Sequence, residues 1–584
     1  MNKLILYIRK KTSRTQFLIL ACVLVGWIIG IEAIILKSAV YYLHSVFYLI
    51  DDYFFQSLIT FVAPLFGIIL VVFIVQKVFK GKLGRGIANI LYEIAKKNSI
   101  VHRDKSYSHI ITSAITVGLG GSAGLEAPIV ITGAAVGSNV ARSFHFNYRD
   151  RTLLLGCGVA AGIAAVFNAP IAGVIFVIEV ILKNIRVKEF IPLIISSVTG
   201  ALLSKIVLKE DILLSFDVIK HLDYLNIPFY ILLGIILGFM SLYYAKINTY
   251  IESVFKRSHL GAYSKAIVGG LALSFLIFIM PPLFGEGYSS IKMLAAGELN
   301  NVFNFGIYSK IIGNEWFYLF LVGIIALIKV VATSLTISSG GNGGHIAPAL
   351  FVGAYSGYFF SSIFNKFNIT ELPVSHFTIV AMGGVLSGLY YAPFTGIFLI
   401  AEVTGGYHLF IPLMIVSSIS YLIAKHYEPF PMDEKKLAAK DNILTDDSDK
   451  NILTIMSIHN IIENDLATIK NTATLGDLVE VIKHSHRNTF IVLDDSGKLQ
   501  GLIDLDDVRE IMFNEKMYSL VIVQEIMKKP REIIDINESM TSVMSKFEHS
   551  GAWLLPVVDK GKYMGCISKT SMFNEYRKML KFKN

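Results

Sequence analysis

Charge is what this 584-residue sequence has least of. Charged residues make up 17% of it, against about a quarter in an ordinary soluble chain, while 54% is hydrophobic and the mean hydropathy is +0.59. That balance excludes an ordinary water-soluble protein. Cysteine is nearly absent: Cys22, Cys157 and Cys566 stand far apart without metal-ligand spacing, which argues against a disulfide framework or structural zinc and leaves free thiols. No nucleophile–base constellation, metal-ligand cluster or Walker loop is present, so enzyme chemistry has no support and no metal is expected. The net charge of +9 needs no nucleic acid to explain it, because the loops of a membrane protein supply it.

Apolar runs of bilayer length follow one another through residues 16–425, at roughly 16–36, 56–76, 189–208, 227–245, 265–285, 316–338 and 408–424. Glycine-rich apolar stretches lie between them at 108–140, 150–182, 343–363 and 375–403. The basic start is poor signal-peptide material, having no small-residue cleavage site. Lys3, Arg9, Lys10, Lys11 and Arg14 precede the first run and predict a cytoplasmic N-terminus. Asp51 and Asp52 in the next connection, then Lys77, Lys80, Lys82 and Arg85 in the one after, follow the same alternation. Composition shifts near Pro431. A polar linker over 431–449 is followed by alternating strands and helices in two copies, at 450–515 and 522–584. Strands are read at 489–494 and 499–505 in the first copy and at 554–559 and 563–568 in the second.

The membrane part (1–430) also repeats. Gly124, Ala127, Pro128, Gly133, Ala134 and Gly137 recur, all at one constant offset, as Gly344, Ala347, Pro348, Gly353, Ala354 and Gly357. Ala169, Pro170, Gly173, Glu179 and Val180 recur, at a second and slightly longer offset, as Ala392, Pro393, Gly396, Glu402 and Val403. Eleven identities in one order define two halves, about 16–210 and 225–425. Such repeats in transporters often have inverted topology, with broken helices meeting near the midplane.

The duplicated G-x-x-A-P segment breaks an apolar stretch where a helix begins. Irregular backbone at membrane depth is tolerated where it is buried in protein or lines a water-filled cavity. A helix starting there aims free N–H groups and a positive dipole end into that cavity, which suits an anion. The competing reading is that glycine and alanine only let helices pack closely. Glu126 sharpens the choice, because a carboxylate in a membrane is costly and by default functional. It is expected to occupy an anion site when ionised and to vacate it when protonated, as a gate, a proton carrier or both; the alternative is a helix-capping acid. Ile346 stands at the equivalent place in the second half.

The segments GSAGLEAP (121–128), GGHIAP (343–348), FNAPIAGVIFVIE (167–179) and APFTGIFLIAE (392–402) resemble the signatures of the CLC family of chloride channels and proton-coupled chloride transporters. The tail resembles the paired CBS domains that many members carry. The resemblance implies an all-α membrane domain of two inverted halves with broken re-entrant helices, plus an α/β CBS unit. It implies chloride or another small anion as substrate, a homodimer in a lipid bilayer of the plasma or inner membrane, and both termini in the cytoplasm. On this resemblance Glu126 is the gating glutamate, beside Leu125, Ala127 and Pro128. Within the segment Gly344, His345, Ile346, Ala347 and Pro348, His345 and Ile346 fall where backbone amides hold the central anion. Gly84, Arg85, Gly86 and Ile87 fall on a segment where the family carries a serine ligand, here Arg85, which either supplies positive potential at the mouth or is one more cytoplasmic basic residue. Asp433 falls near the family's coordinating tyrosine. The exchangers' inner proton glutamate is replaced by Val180, and its carboxylate neighbour by Leu91, which favours a gated channel over an antiporter. Glu179 and Glu402 are expected to satisfy helix-end donors. The fluoride-exporting branch is a poorer match.

Adenine nucleotide binding between CBS copies needs a ribose acid and a phosphate hydroxyl. The first copy offers Gly501, Asp504 and Asp507, the second Gly565, Ser568 and Ser571, and neither is complete. A dimer-stabilising or coupling module with no cofactor is the simpler expectation. Two rivals fit the sequence less well. A magnesium pathway needs several oxygen ligands near the midplane and has only Glu126, Glu179 and Glu402; a CBS sensor on a bare anchor would not need duplicated broken helices.

Overall fold

A computed structural model describes residues 11–54, 58–81, 83–84, 86–183, 186–209, 214, 223–303, 315–435 and 456–583. The chain divides into two compact units, Met1–Asp441 and Asn442–Asn584.

The first half of the membrane unit runs α1 (Arg14–Phe54), α2 (Leu58–Lys77), α3 (Ile87–Lys96) and α4 (Lys105–Gly118). It continues with α5 (Glu126–Ser143), α6 (Tyr148–Phe167), α7 (Pro170–Phe176) and α8 (Phe190–Leu208). The second half repeats that order: α9 (Ile227–Arg257), α10 (Ala262–Ile279), α11 (Tyr288–Ala295), the short α12 (Leu299–Val302) and α13 (Glu315–Ser338). Then come α14 (Ile346–Lys366), α15 (Val374–Tyr390), α16 (Pro393–Val403) and α17 (Phe410–Tyr427). Among the described residues eight helical stretches are long and apolar enough to cross a membrane. The apolar run at 16–36 is only part of α1, whose helix continues to Phe54, and the run at 265–285 is cut at Ile279 because Pro281 and Pro282 cannot extend the ladder.

Small residues let the broken helices interlock. A Cβ added to Gly133 in α5 would lie 2.3 Å from the Gly158 carbonyl oxygen in α6, so the two backbones touch. The close-packing role of these glycines is real, and it coexists with the site described below. Past Pro431 the polar composition misleads: Met432, Asp433 and Glu434 form a helical turn and are buried. Residues 436–455, most of the expected linker, lie outside the described residues.

The second unit holds two three-stranded sheets, ordered β1 (Thr468–Lys470), β2 (Thr489–Leu493), β3 (Leu499–Asp504) and β4 (Ile534–Asp535), β5 (Leu554–Asp559), β6 (Lys562–Ser568). In each, the first strand pairs parallel with the second and the second antiparallel with the third. The strand–strand–helix reading found the two longer strands of each copy. It missed β1, β4 and the helices Leu475–His484 and Met540–Ser550, because strands of two or three residues show no alternation. Cys566 is buried in this unit, which pushes its thiol up to about 12 and keeps it protonated. All three cysteines are free, and Cys22 and Cys157 bring their sulfurs within 3.7 Å between α1 and α6.

Candidate functional site

The two G-x-x-A-P segments meet head to head. Gly124 N–H donates to the Gly344 carbonyl (3.0 Å) and Gly344 N–H to the Gly124 carbonyl (2.7 Å), an antiparallel bridge between equivalent residues. A second exchange flanks it: Ser122 N–H donates to Thr336 Oγ1 (3.1 Å) and Asn342 N–H to Thr116 Oγ1 (2.9 Å). Equivalent residues trading equivalent bonds place a pseudo-two-fold axis between the two halves here.

The carboxylate of Glu126 fills the space this bridge leaves. A Cβ on Gly124 would lie 1.9 Å from Glu126 Oε2, and one on Gly344 2.9 Å from the same oxygen. Only glycine at both positions leaves room for it. Glu126 is wholly buried; Tyr288 donates its hydroxyl to Oε1 (3.3 Å), and Oε2 has no hydrogen-bond partner. A buried carboxylate with one oxygen unsatisfied is expensive. The N–H of Leu125, the residue just before it, donates instead to Glu286 Oε1 (3.3 Å).

Neither α5 nor α14 has a side-chain cap at its start, and nor has α3, which begins after Gly86 in a left-handed conformation (φ 84°). All three starts border one cavity of about 260 Å³, through Gly86, Ile87 and Ala88, through Ala127, and through Gly343 and His345. Its walls also carry Asn248, Tyr390, Asp433 and Lys265, with Lys256 paired to Glu252 at 2.8 Å. Uncapped N–H groups and three positive helix ends on one polar cavity suit a small anion.

Of the residues named from sequence, Leu125, Pro128, Ile346, Ala347 and Pro348 are buried at the two starts, and Gly84 (φ 63°) accepts from Asn89 Nδ2 at 3.0 Å. Arg85 lies outside the described residues. Asp433 does reach the cavity, so a carboxylate stands on its wall. His345 is oriented by Tyr244, whose hydroxyl lies 3.1 Å from Nδ1. Val180 sits buried in a π-helical turn, Val177–Ile181, and Leu91 is buried in α3. The sequence reading missed Glu286, Tyr288 and Tyr244. It also passed over Thr116 and Thr336, although they recur at the same offset as Gly124 and Gly344.

Glu179 and Glu402 do what helix ends require, crosswise. Glu179 accepts from the N–H groups of Phe394 (3.1 Å) and Thr395 (2.7 Å) at the start of α16. Glu402 accepts from Ile171 (3.0 Å) and Ala172 (2.8 Å) at the start of α7. Each half thus caps the other, and the acids do not gather: among the described residues no cluster of metal-ligating side chains forms. Glu402→Ala would orphan two amides at about 1–3 kcal/mol each. It is expected to lower the thermal unfolding temperature in detergent by several degrees while leaving flux through the surviving folded protein intact.

In the second unit the nucleotide-pattern residues bond to neighbouring side chains of the protein itself. Asp504 accepts from Thr489 Oγ1 (2.7 Å), Asp507 pairs with Lys528 (2.5 Å), and Ser568 donates to Glu463 Oε1 (2.6 Å).

Two halves related by a pseudo-two-fold axis, broken helices meeting at a buried carboxylate, and three uncapped helix starts on one cavity define a membrane protein with a candidate small-anion site. The sequence pattern of the family described as voltage gated chloride channel matches residues 66–425, and the chain belongs to that family. CBS domains match at 458–514 and 523–578. Chloride channel protein CLC-f of Arabidopsis thaliana is 24% identical over 488 residues, 74% of this chain and 61% of that protein. An H(+)/Cl(-) exchange transporter ClcA of Cronobacter sakazakii is 31% identical over 338 residues, 55% of this chain and 67% of that one. The chain thus spans about two-thirds of the length of such relatives. Among solved structures, a slow cyanobacterial Cl-/H+ antiporter superposes with a TM-score of 0.64 at 21% identity, covering 73% of this chain and 99% of its own. A eukaryotic CLC transporter gives 0.61 at 17% identity, covering 95% and 97%.

Proposed function

We propose that this protein moves chloride across a membrane in exchange for protons, with Glu126 serving as both gate and proton carrier. The observation that carries this reading is the position of the Glu126 carboxylate, seated between the two helix starts with one oxygen unpartnered. Ionised, the carboxylate is itself the anion at that seat; protonated, it loses its claim on the amides and yields to chloride. One residue alternating between the two states links the two fluxes. The ClcA relatives, named as exchangers, favour this over the passive channel that Val180 and Leu91 suggest. The gated channel is the second reading, supported by the missing inner acids. The protein works as a homodimer in the plasma or inner membrane with its termini in the cytoplasm, in accord with the basic residues before the first span. The CBS pair acts as a coupling or dimer-stabilising module without nucleotide, in accord with the internal partners of Asp504, Asp507 and Ser568.

Reconstitution in liposomes with a chloride gradient, recording chloride and proton movement together, tests the reading. Proton uptake driven by outward chloride flow at a fixed ratio supports exchange. Chloride current without proton movement assigns the channel, and no anion flux at any pH or voltage refutes both.

Asp433 gives a separate prediction. A carboxylate on the cavity wall repels an anion by roughly 1–3 kcal/mol at protein-like dielectric. Asp433→Asn is therefore expected to tighten chloride binding about tenfold, measured by isothermal titration in detergent.

A further inference from the structure

The loop between α10 and α11 is built with more care than a connection needs. Gly285 and Gly287 both take left-handed conformations (φ 58° and 88°) and hold Glu286 between them. The fully buried ammonium of Lys329 donates to the carbonyls of Leu283 (3.2 Å) and Gly285 (2.9 Å) and rests over the Phe351 ring at 4.6 Å. A buried lysine is thereby committed to fixing this loop. From it, Glu286 takes the Leu125 amide, one residue before the gate, and Tyr288 takes the gate carboxylate itself. The loop and the first residue of α11 therefore hold Glu126 from two sides, and the loop brings a second carboxylate to a helix start whose amides suit an anion.

We propose that Glu286 is a second gating carboxylate: anchored on the Leu125 amide, its charge opposes ionised Glu126 in its seat and so sets the proton concentration at which the gate releases. Around Glu286 stand Glu126 from α5, Lys329 from α13 and Lys37 from α1, with Tyr288 at the start of α11. His44 of α1 packs edge-on against Phe284 in the same loop. The ammonium groups of Lys37 and Lys329 lie on one side of Glu286 and the Glu126 carboxylate on the other, where the Tyr288 hydroxyl donates to it. Like charges in neighbouring seats disfavour joint ionisation, so Glu286 acts as a positioning residue for the proton step at Glu126. The inference rests on the transport reading above.

The test is the pH profile of chloride uptake into liposomes, with equal pH on both sides, for wild type, Glu286→Gln, Glu286→Asp and Glu126→Gln/Glu286→Gln. Glutamine keeps an acceptor for the Leu125 amide and removes only the charge. Its half-maximal pH is expected to fall by about one unit, a tenfold rise in the protons required. Aspartate keeps the charge and the wild-type midpoint, and the double variant shows the flat profile of Glu126→Gln alone. If Glu286→Gln yields no folded protein, Glu286→Ala removes the same charge and is expected to shift the same way. A pH-dependent wild type with an unmoved midpoint in the charge-removing variant overturns the role of Glu286 and leaves transport standing. A shift that persists without the Glu126 carboxylate also overturns it. A wild type that moves no chloride overturns the transport reading and this inference with it.

Discussion

Glu126→Gln is expected to abolish proton movement while chloride continues to flow. The glutamine keeps the shape of the side chain and a carbonyl for the Tyr288 hydroxyl, but it can neither ionise into the seat between Gly124 and Gly344 nor carry a proton out of it. A positioned proton-transfer group is worth about a hundredfold or more, so proton flux in the liposome assay falls to background. Chloride uptake loses its pH dependence and holds near the wild-type acid value. Unchanged pH dependence would return Glu126 to the role of a helix-capping acid.

Gly124→Ala is expected to give the second largest effect, in the same direction and for a steric reason. The new Cβ would lie 1.9 Å from Glu126 Oε2, and the carboxylate is the movable end of a flexible side chain. The gate then gives way and the Gly124–Gly344 bridge stays. The variant should fold, conduct chloride at neutral pH as wild type does at acid pH, and couple few protons. Gly133→Ala is the contrast: its Cβ would meet the Gly158 backbone at 2.3 Å, which cannot step aside. That substitution should lower stability, read as thermal unfolding in detergent, and leave pH dependence alone. A Gly124→Ala protein that unfolds rather than opens would contradict the seat assigned to Glu126.

These effects rest on features legible in the sequence to differing degrees. The repeat is visible as residue identities at a constant offset, and those identities mark the residues that touch across the pseudo-two-fold axis, because symmetric contacts demand equivalent side chains. The crosswise capping by Glu179 and Glu402 follows the same logic. Contact is harder to read than repetition: nothing in the spacing says that the two copies meet, and the Gly124–Gly344 bridge supplies that. Glu286 and Tyr288 were missed because they lie in a connection far along the chain from Glu126, and the second half has no gate acid to point back to them. Lys329 hid inside an apolar run, its charge spent on two carbonyls. In the second unit, β1 and β4 are too short to carry a period. Asp433 illustrates the opposite case, where a loose alignment placed a residue that composition assigned to a linker and the fold sets on the cavity wall.

The central claim is that helix starts from both halves hold the transported anion beside Glu126. Bromide substitution with anomalous diffraction addresses it directly, using Glu126→Gln so that the carboxylate does not compete. The account predicts a bromide peak in the cavity near Gly86, Ala127 and His345, and a second between Gly124 and Gly344. Saturating bromide that leaves both positions empty would contradict it.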